Sequence, residues 1–374
     1  NFINSIFSPY KDEILANQKE ASCEDRMGPN FSLLIHQKIV RDYINHYTPY
    51  RGLLLYHGLG SGKTCSSIAI AEGLKTDRRI IIMTPASLRM NYMEELKKCG
   101  DSLYKFNQFW EFIRTKDDSS LEAALSNILS ISTRFIRKQG GVWFVDVRKE
   151  PNFLELSVDD RRSLDKQINK MIEGKYQFIN YNGLRMSSLK VLTDNGKIKN
   201  PFSNKVIIID EAHNFVSRIV NKMSRKDSLS LRLYEYLKSA ENARIVFLTG
   251  TPIINYPNEI GIMFNILRGY IKTFIVDLEV KSRKKINKLF FEKVFKDFGL
   301  LDYIEYNSSK KKLIITRNPF GFTTKRGKYS GVLLNERGDI KNSDLFRELK
   351  KVLLTHQVAI KKVSVENYLA LPDK

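Results

Sequence analysis

The sequence predicts an α/β fold: a parallel sheet flanked by helices, followed by a basic C-terminal region. Three observations point to it. Short apolar runs of strand length alternate with helical stretches, a glycine-rich loop joins one such run to a helix, and two later runs end abruptly in polar residues. At 374 residues the chain is long enough for two or three domains and a sizeable core. Its 42% hydrophobic and 28% charged residues exclude a disordered chain. No apolar run approaches the roughly 20 residues that a membrane span needs.

Residues 1–50 are polar and helix-prone and read as a helical extension. GLLLY (52–56) is a strand, and the glycine loop HGLGSGKT (57–64) follows it directly. TCSSIAIAEGL (64–74) has helical spacing, with Ile68, Ala69 and Leu74 turned to a sheet and Gly73 near its end. RRIIIMTP (78–85) is a short buried strand, and ASLRMNYMEELKKCG (86–100) a helix. The stretch 101–175 is less regular. Its aromatic cluster YKFNQFWEF (104–112) reads as core rather than a base-stacking platform, and EPNFLELSVDDRRSLDKQINK (150–170) is highly charged. The sheet pattern resumes with YQFINYNGL (176–184), KVIIIDEAHNF (205–215) and ARIVFLTGTP (243–252). Beyond about residue 270 the pattern changes to Lys-rich pieces such as KKKLIITRNPFGF (310–322), which marks a domain boundary and makes 271–374 a basic accessory region or the start of a second lobe.

Lys and Arg number 62 against 41 Asp and Glu, a net charge of +21. Residues 271–374 hold 23 basic and 12 acidic residues. Such a surplus favours a polyanionic partner; a lysine-rich, A·T-biased genome would produce the same balance. The cysteines, Cys23, Cys65 and Cys99, are odd in number and scattered, so the sequence suggests neither a disulfide frame nor a zinc site, and a reducing compartment fits. The five histidines (His36, His46, His57, His213, His356) show no metal spacing. The first residue is Asn1 and no signal segment precedes it, as expected of a piece of a longer polypeptide or a disordered start.

Three sequence motifs carry chemistry. A phosphate loop needs glycines so that consecutive N–H groups can turn on a phosphate chain, a lysine for the outer phosphates and a hydroxyl for Mg²⁺. Gly58, Gly60 and Gly62 supply the turns, with Ser61 among them, Lys63 the charge and Thr64 the hydroxyl, although a strict pattern has glycine where His57 stands. In IIIDEAH, four apolar residues of the run end at Asp210 and Glu211, at the carboxyl end of a buried strand, where open α/β sheets bind ligands. Asp210 suits magnesium through water, and Glu211 suits orienting and deprotonating an attacking water. His213 reads as a hydrogen-bond partner of a neighbouring element rather than a metal ligand. In TGTP, Thr249 and Thr251 flank Gly250 in a tight turn and are placed to bond the two carboxylates.

With these residues in order, the chain resembles superfamily 2 helicases and translocases, in particular the DEAH-box branch related to Swi2/Snf2 ATPases. The resemblance spans roughly residues 30–270, a first RecA-like P-loop NTPase lobe. HGLGSGKT is similar to motif I, where the leading glycine is not required, and TPASL (84–88) to motif Ia. FINYNGL (178–184) looks like the motif before the DEAH box, DEAH (210–213) like motif II and TGTP (249–252) like motif III. LLIHQ (33–37), whose Gln37 lies 26 residues before Lys63, is similar to the motif that reads adenine. IINYPNEIGIMFNILRG (253–269) resembles the Snf2-like continuation, a helix after an Asn-containing turn. In character the chain is similar to the helicase-like ATPases of large cytoplasmic DNA viruses, among them the poxvirus nucleoside triphosphatase I and the early transcription factor small subunit.

The resemblance implies ATP and Mg²⁺ as cofactors and a DNA-dependent ATPase and translocase, with nucleic acid crossing near Thr84, Pro85, Asn182 and Gly183. It also implies viral transcription, a viral factory or virion as the place, and viral RNA polymerase or transcription-factor subunits as partners. Two alternatives stay open: RNA unwinding, and a nucleotide-gated binding or recruitment subunit with little turnover. The last draws on a departure, since the second-lobe motif Q-x-x-G-R-x-x-R does not occur in 271–374. Its arginine can be worth about 10³–10⁵ in turnover. A second lobe beyond Lys374, or a partner supplying it, is the expectation.

Overall fold

The computed structural model describes residues 7–20, 33–44, 48–58, 60–115, 118–225, 227–281, 286–295, 298–318, 321–325, 331–334, 340–369 and 371. Cys23, His46 and, in the closing NYLALPDK, Ala370, Pro372, Asp373 and Lys374 lie outside the described residues.

Two helices, α1 (Ser8–Glu20) and α2 (Ile35–Asp42), precede the sheet. Strands β1 (Gly52–Tyr56) and β2 (Arg79–Thr84) flank α3 (Lys63–Leu74), and α4 (Arg89–Cys99) follows β2. The stretch read as irregular is largely regular: an antiparallel hairpin of β3 (Trp110–Arg114) and β4 (Gly141–Val145), with α5 (Ser119–Leu129), α6 (Thr133–Gln139) and α7 (Val158–Lys175). Tyr104, Trp110 and Trp143 are buried in it. The order continues with β5 (Tyr176–Asn180), α8 (Met186–Leu192), β6 (Lys205–Ile209), α9 (Ala212–Val220), α10 (Leu229–Ser239), β7 (Arg244–Thr249) and α11 (Asn258–Arg268).

The main sheet has the order β1-β7-β6-β2-β5, and every pairing is parallel. Its strands are apolar throughout because both faces are covered. Ile80, Ile82, Val206, Ile208, Val246 and Leu248 pack on the side of α3, α4 and α7. The alternate residues Ile81, Met83, Ile207, Ile209, Ile245 and Phe247 pack on the side of α9, α10 and α11. Period-2 alternation therefore distributes two sets of apolar side chains to two cores.

Beyond residue 270 the pairing changes. Strands β8 (Ile271–Val280), β9 (Leu301–Asn307), β10 (Lys312–Arg317) and, after a short hairpin of β11 (Phe322–Lys325) and β12 (Gly331–Leu334), β13 (Val358–Tyr368) form an antiparallel sheet of order β13-β8-β10-β9. Helices α12 (Lys288–Val294) and α13 (Asn342–Leu354) cover it, around Phe274, Phe291, Leu313, Leu349 and Val358. These residues do not repeat the parallel architecture of the first unit. The chain returns to it at Leu371, whose backbone exchanges two hydrogen bonds with the buried Asn265 amide on α11.

The structure corrects the reading of the cysteines. Cys65 in the first turn of α3 and Cys99 at the end of α4 form a disulfide, with Cα atoms 5.5 Å apart. They are 34 residues apart in sequence, but α3 and α4 lie side by side on one face of the sheet. The cysteines therefore carry no argument about compartment. No helix among the described residues is long and apolar enough to cross a membrane.

Arg51, one residue before β1, fixes two helix ends to the sheet. Its guanidinium donates to the carbonyls of Leu237, Lys238 and Ala240 at the end of α10 and to that of Ile266 near the end of α11. A cation there also opposes the negative ends of both helix dipoles. Burial, and then the like charge of Arg268, pull its pKa down to about 10, which leaves it charged at neutral pH. Gly269 has to be glycine here: φ is +71°, and a Cβ would come within 2.2 Å of the guanidinium. Replacing Arg51 with Met leaves four helix-end carbonyls without this donor. We expect Arg51→Met to destabilise the fold by about 3 kcal/mol or more, read from the urea unfolding midpoint.

Candidate active site

The site is built where parallel strands end together. β7 lies between β1 and β6, with Tyr56 beside Thr249 and Ile209 beside Phe247, so the TGTP turn stands between the glycine loop and the carboxylate pair. Gly250 runs close to the loop: a Cβ on it would stand 3.8 Å from Lys63 Nζ.

In the loop, Gly60 and Gly62 take φ of +75° and +74°, a backbone that only glycine adopts without strain. Gly62 caps α3 and sends its N-terminus toward the loop, with Lys63 and Thr64 as the first helical residues. Lys63 Nζ donates to the carbonyls of His57 and Gly58, at 2.9 Å each. Ser61 Oγ donates to Gly58 O. His57 therefore serves through its backbone carbonyl, while its ring meets the His36 ring edge-on at 5.7 Å. Burial, with the charges of His36 and Lys63, lowers its pKa. His36 Nε2 in turn lies 3.2 Å from Ser61 O.

Gln37 lies against the loop. The side chain is 2% exposed, its Oε1 accepts from Leu34 N–H, and its Nε2 donates to Gly62 O at 3.4 Å. Its amide thus joins the phosphate loop to the start of its own helix.

Asp210 and Glu211 follow β6. Asp210 N–H donates to Met83 O, which continues the ladder to β2, and its carboxylate accepts from Glu211 N–H. Glu211 sits in left-handed backbone at φ 47° and ψ 51°, a conformation that costs a non-glycine residue about 1 kcal/mol or more. The Tyr181 hydroxyl, between the Asp210 and Glu211 carbonyls at 3.1 Å from each, holds that turn. Sequence reasoning missed Tyr181; its place directly after β5, next to FIN, was the available signal. Burial, then the like charge of Glu211, push the Asp210 carboxyl up to about 6, against the opposing pull of Glu211 N–H, Lys63 and the Thr84 hydroxyl. Lys63 and Asp210 thus share one electrostatic neighbourhood.

Thr84 and Pro85 stand at the tip of β2. Thr84 is fully buried beside Asp210, and Pro85 is buried as well, so a polymer crossing here would meet backbone and the neighbouring exposed residues. The physical reason is the pairing of β2 between β6 and β5, which makes its tip part of the sheet's interior. Ala86, Ser87, Met90 and Asn91 reach the surface there instead. Asn182 and Gly183 are exposed, and Arg218 donates to the Tyr181 and Asn182 carbonyls behind them.

The TGTP hydroxyls bond histidine rather than the carboxylates. His213 Nδ1 lies 2.8 Å from Thr249 Oγ1, 3.4 Å from Thr251 Oγ1 and 3.4 Å from a Glu211 carboxylate oxygen. Thr249 Oγ1 also accepts from Thr251 N–H. His213 therefore joins the turn after β6 to the turn after β7. Two further residues escaped the sequence reading. Glu259, fully buried on α11, accepts from the N–H groups of Ile254 and Asn255, and Asn255 Nδ2 donates to Ser217 Oγ on α9. They fasten the segment after TGTP to the helix after DEAH.

The donor set suits a magnesium-bound triphosphate: a lysine on the loop, a threonine hydroxyl at a helix start and a buried carboxylate close to that lysine, all hard oxygen or cationic groups.

Comparison with known proteins identifies a family. Residues 30–254 match the family model described as Type III restriction enzyme, res subunit. A protein of Acanthamoeba polyphaga mimivirus named as an ATP-dependent RNA helicase is 29% identical over 82% of this chain and 45% of its own length. A termination factor NPH-I homolog of African swine fever virus is 24% identical over 85% of this chain and 38% of its own. The chain thus spans less than half the length of these relatives. The SWI2/SNF2 ATPase core of Sulfolobus solfataricus, solved with duplex DNA, is similar at 19% identity and a TM-score of 0.27, over 58% of this chain and 30% of that one.

The Asp210 geometry predicts a pH dependence. Unfolded, the carboxyl titrates near 3.8 and folded near 6. The folded protein holds this proton more tightly, so stability falls as pH rises from about 4 to about 6 and stays lowered above that. Asp210→Asn should raise stability by about 2 kcal/mol at pH 8 in chelator, with the gain gone below about pH 4, as measured by urea unfolding across pH.

Proposed function

Because the chain belongs to the superfamily 2 helicase-like ATPases, in the family of the type III restriction enzyme res subunit, we propose that it is the nucleotide-binding lobe of an ATP-dependent translocase or helicase acting on nucleic acid. Supporting this reading is one observation above the others. Lys63, Asp210 and the His213–Thr249 pair come from three different strand ends and meet at one edge of the sheet.

ATP lies on residues 58–64, with backbone N–H groups and the N-terminus of α3 facing the phosphates. Lys63 exchanges its two loop carbonyls for the outer phosphates. Thr64 and Asp210 would hold Mg²⁺, which would supply positive charge to offset the negative charge that develops on the transferred phosphoryl group. Ionised Asp210 is favoured by that positive charge, which counters its burial. Glu211, held forward by the left-handed turn at its own backbone, orients the attacking water and takes its proton. His213, touching Glu211 on one side and Thr249 and Thr251 on the other, passes a change at the carboxylate to the segment 253–255 and, through Asn255, back to α9.

Duplex DNA is the favoured polymer, met near Asn182 and Gly183 and by basic side chains, as the net charge of +21 supports. RNA is the second reading, favoured by the name of the mimivirus relative. Viral transcription, in a viral factory or virion with polymerase or transcription-factor subunits as partners, agrees with the viral origin of these relatives. Full turnover needs arginines from a second lobe.

The test is ATP turnover by the protein alone, with duplex DNA and with single-stranded RNA. DNA should stimulate more than RNA, and Lys63→Ala should lower stimulated turnover by about 10²-fold or more. Unchanged turnover in Lys63→Ala would remove the site assignment. Stimulation by RNA alone would select the second reading.

A further inference from the structure

One buried polar side chain beside the site has no part in this scheme. Tyr92, on α4, is 2% exposed, and its hydroxyl lies 2.8 Å from that of Ser67, which is fully buried on α3. Ser67 Oγ is 2.7 Å from the Thr64 carbonyl. A carbonyl can only accept, so the one Ser67 proton goes to Thr64, and Tyr92 must donate to Ser67. The bonds thus form a directed chain from Tyr92 through Ser67 to Thr64. Burial raises the pKa of the phenol strongly, so it remains a donor. In a dry interior the two bonds reinforce each other, and no water replaces a lost member.

The position of this chain gives it meaning. Thr64 opens α3, and Ser67 bonds back to it within one turn. Tyr92 belongs to the helix that leaves the tip of β2, where the chain turns through Thr84 and Pro85 beside Asp210. The Cys65–Cys99 disulfide ties the same two helices, starting one residue from Thr64. The first turn of α3 is therefore held against α4 by a covalent bond and by a hydroxyl chain, and the hydroxyl chain is the one that ends on Thr64 itself.

We propose that Tyr92 is a positioning residue which, through Ser67, holds Thr64 in place for the metal-bound nucleotide and so links α4 to the phosphate loop. This rests on the nucleotide site proposed above. Tyr92 touches no reacting atom; it fixes the turn from which the Thr64 hydroxyl projects. A mere packing role would need the ring and not the hydroxyl.

Tyr92→Phe keeps the ring and Ser67→Ala removes the relay. The probe is a non-hydrolysable ATP analogue, titrated in Mg²⁺ and in EDTA against the full chain, with urea midpoints as the check on folding. Tyr92→Phe should weaken the analogue about 5- to 20-fold in Mg²⁺ and less than about 2-fold in EDTA. Ser67→Ala should match it, and the double variant should lose no more than either single one, because the chain acts as a unit. Equal losses in both media, or none in Mg²⁺, would overturn the inference while Lys63→Ala still loses affinity in both. Were Lys63→Ala to bind like the unaltered protein, the nucleotide site would be misassigned and the inference would fall with it.

Discussion

The shared direction of five buried strands is the constraint on which the rest of this molecule depends. Parallel pairing places every carboxyl end at one edge of the sheet, and the order β1-β7-β6 sets three loops there side by side. The one strand between the glycine loop and the carboxylates is β7, whose own turn carries Thr249 and Thr251. With β7 in the middle, Gly250 passes the loop lysine and Thr249 reaches His213 on the helix that follows the next strand. The two faces of the sheet are equally apolar, so side-chain burial on either side holds each strand in register.

That edge concentrates costs that the remaining structure offsets. Asp210 is buried next to a like charge, and Glu211 occupies a backbone region unfavourable for its side chain. Both are held by groups with few alternatives: Lys63 and Glu211 N–H for the first, the Tyr181 hydroxyl for the second. Local strain and perturbed charge gathered at one place, supported by packing elsewhere, is the usual signature of a functional site. Arg51 belongs to the supporting side. By closing the ends of α10 and α11 against the start of β1, it keeps β7 and the segment after TGTP in position from the far end of the sheet.

Some residues were legible because their chemistry is local. The glycines, Lys63, Thr64, Asp210 and Glu211 sit in short strings whose order and strand context suffice to bring them together. Other roles were misread because they depend on which strand lies next to which. The burial of Thr84 between β5 and β6 is one feature that the string TPASL does not announce. Thr249 and Thr251 looked like partners of the carboxylates, but the nearer atom across the gap is His213 Nδ1. The contacts of the Gln37 amide with Gly62 and Leu34 are likewise invisible in the string LLIHQ. Cys65 and Cys99 looked unrelated, since no spacing rule speaks for a pair on two different helices.

By itself the sequence determined the alternation of strands and helices, the glycine loop, the carboxylate pair and the family, because apolar period and backbone chemistry act over a few residues. Tertiary structure alone decided the strand order, the antiparallel build of residues 271–368, the partner of each buried polar group and the hydroxyl chain from Tyr92 to Thr64. Those depend on distances of 3 Å between residues tens or hundreds of positions apart, and hydrophobic patterning, which says only that a side chain is buried, does not say against what.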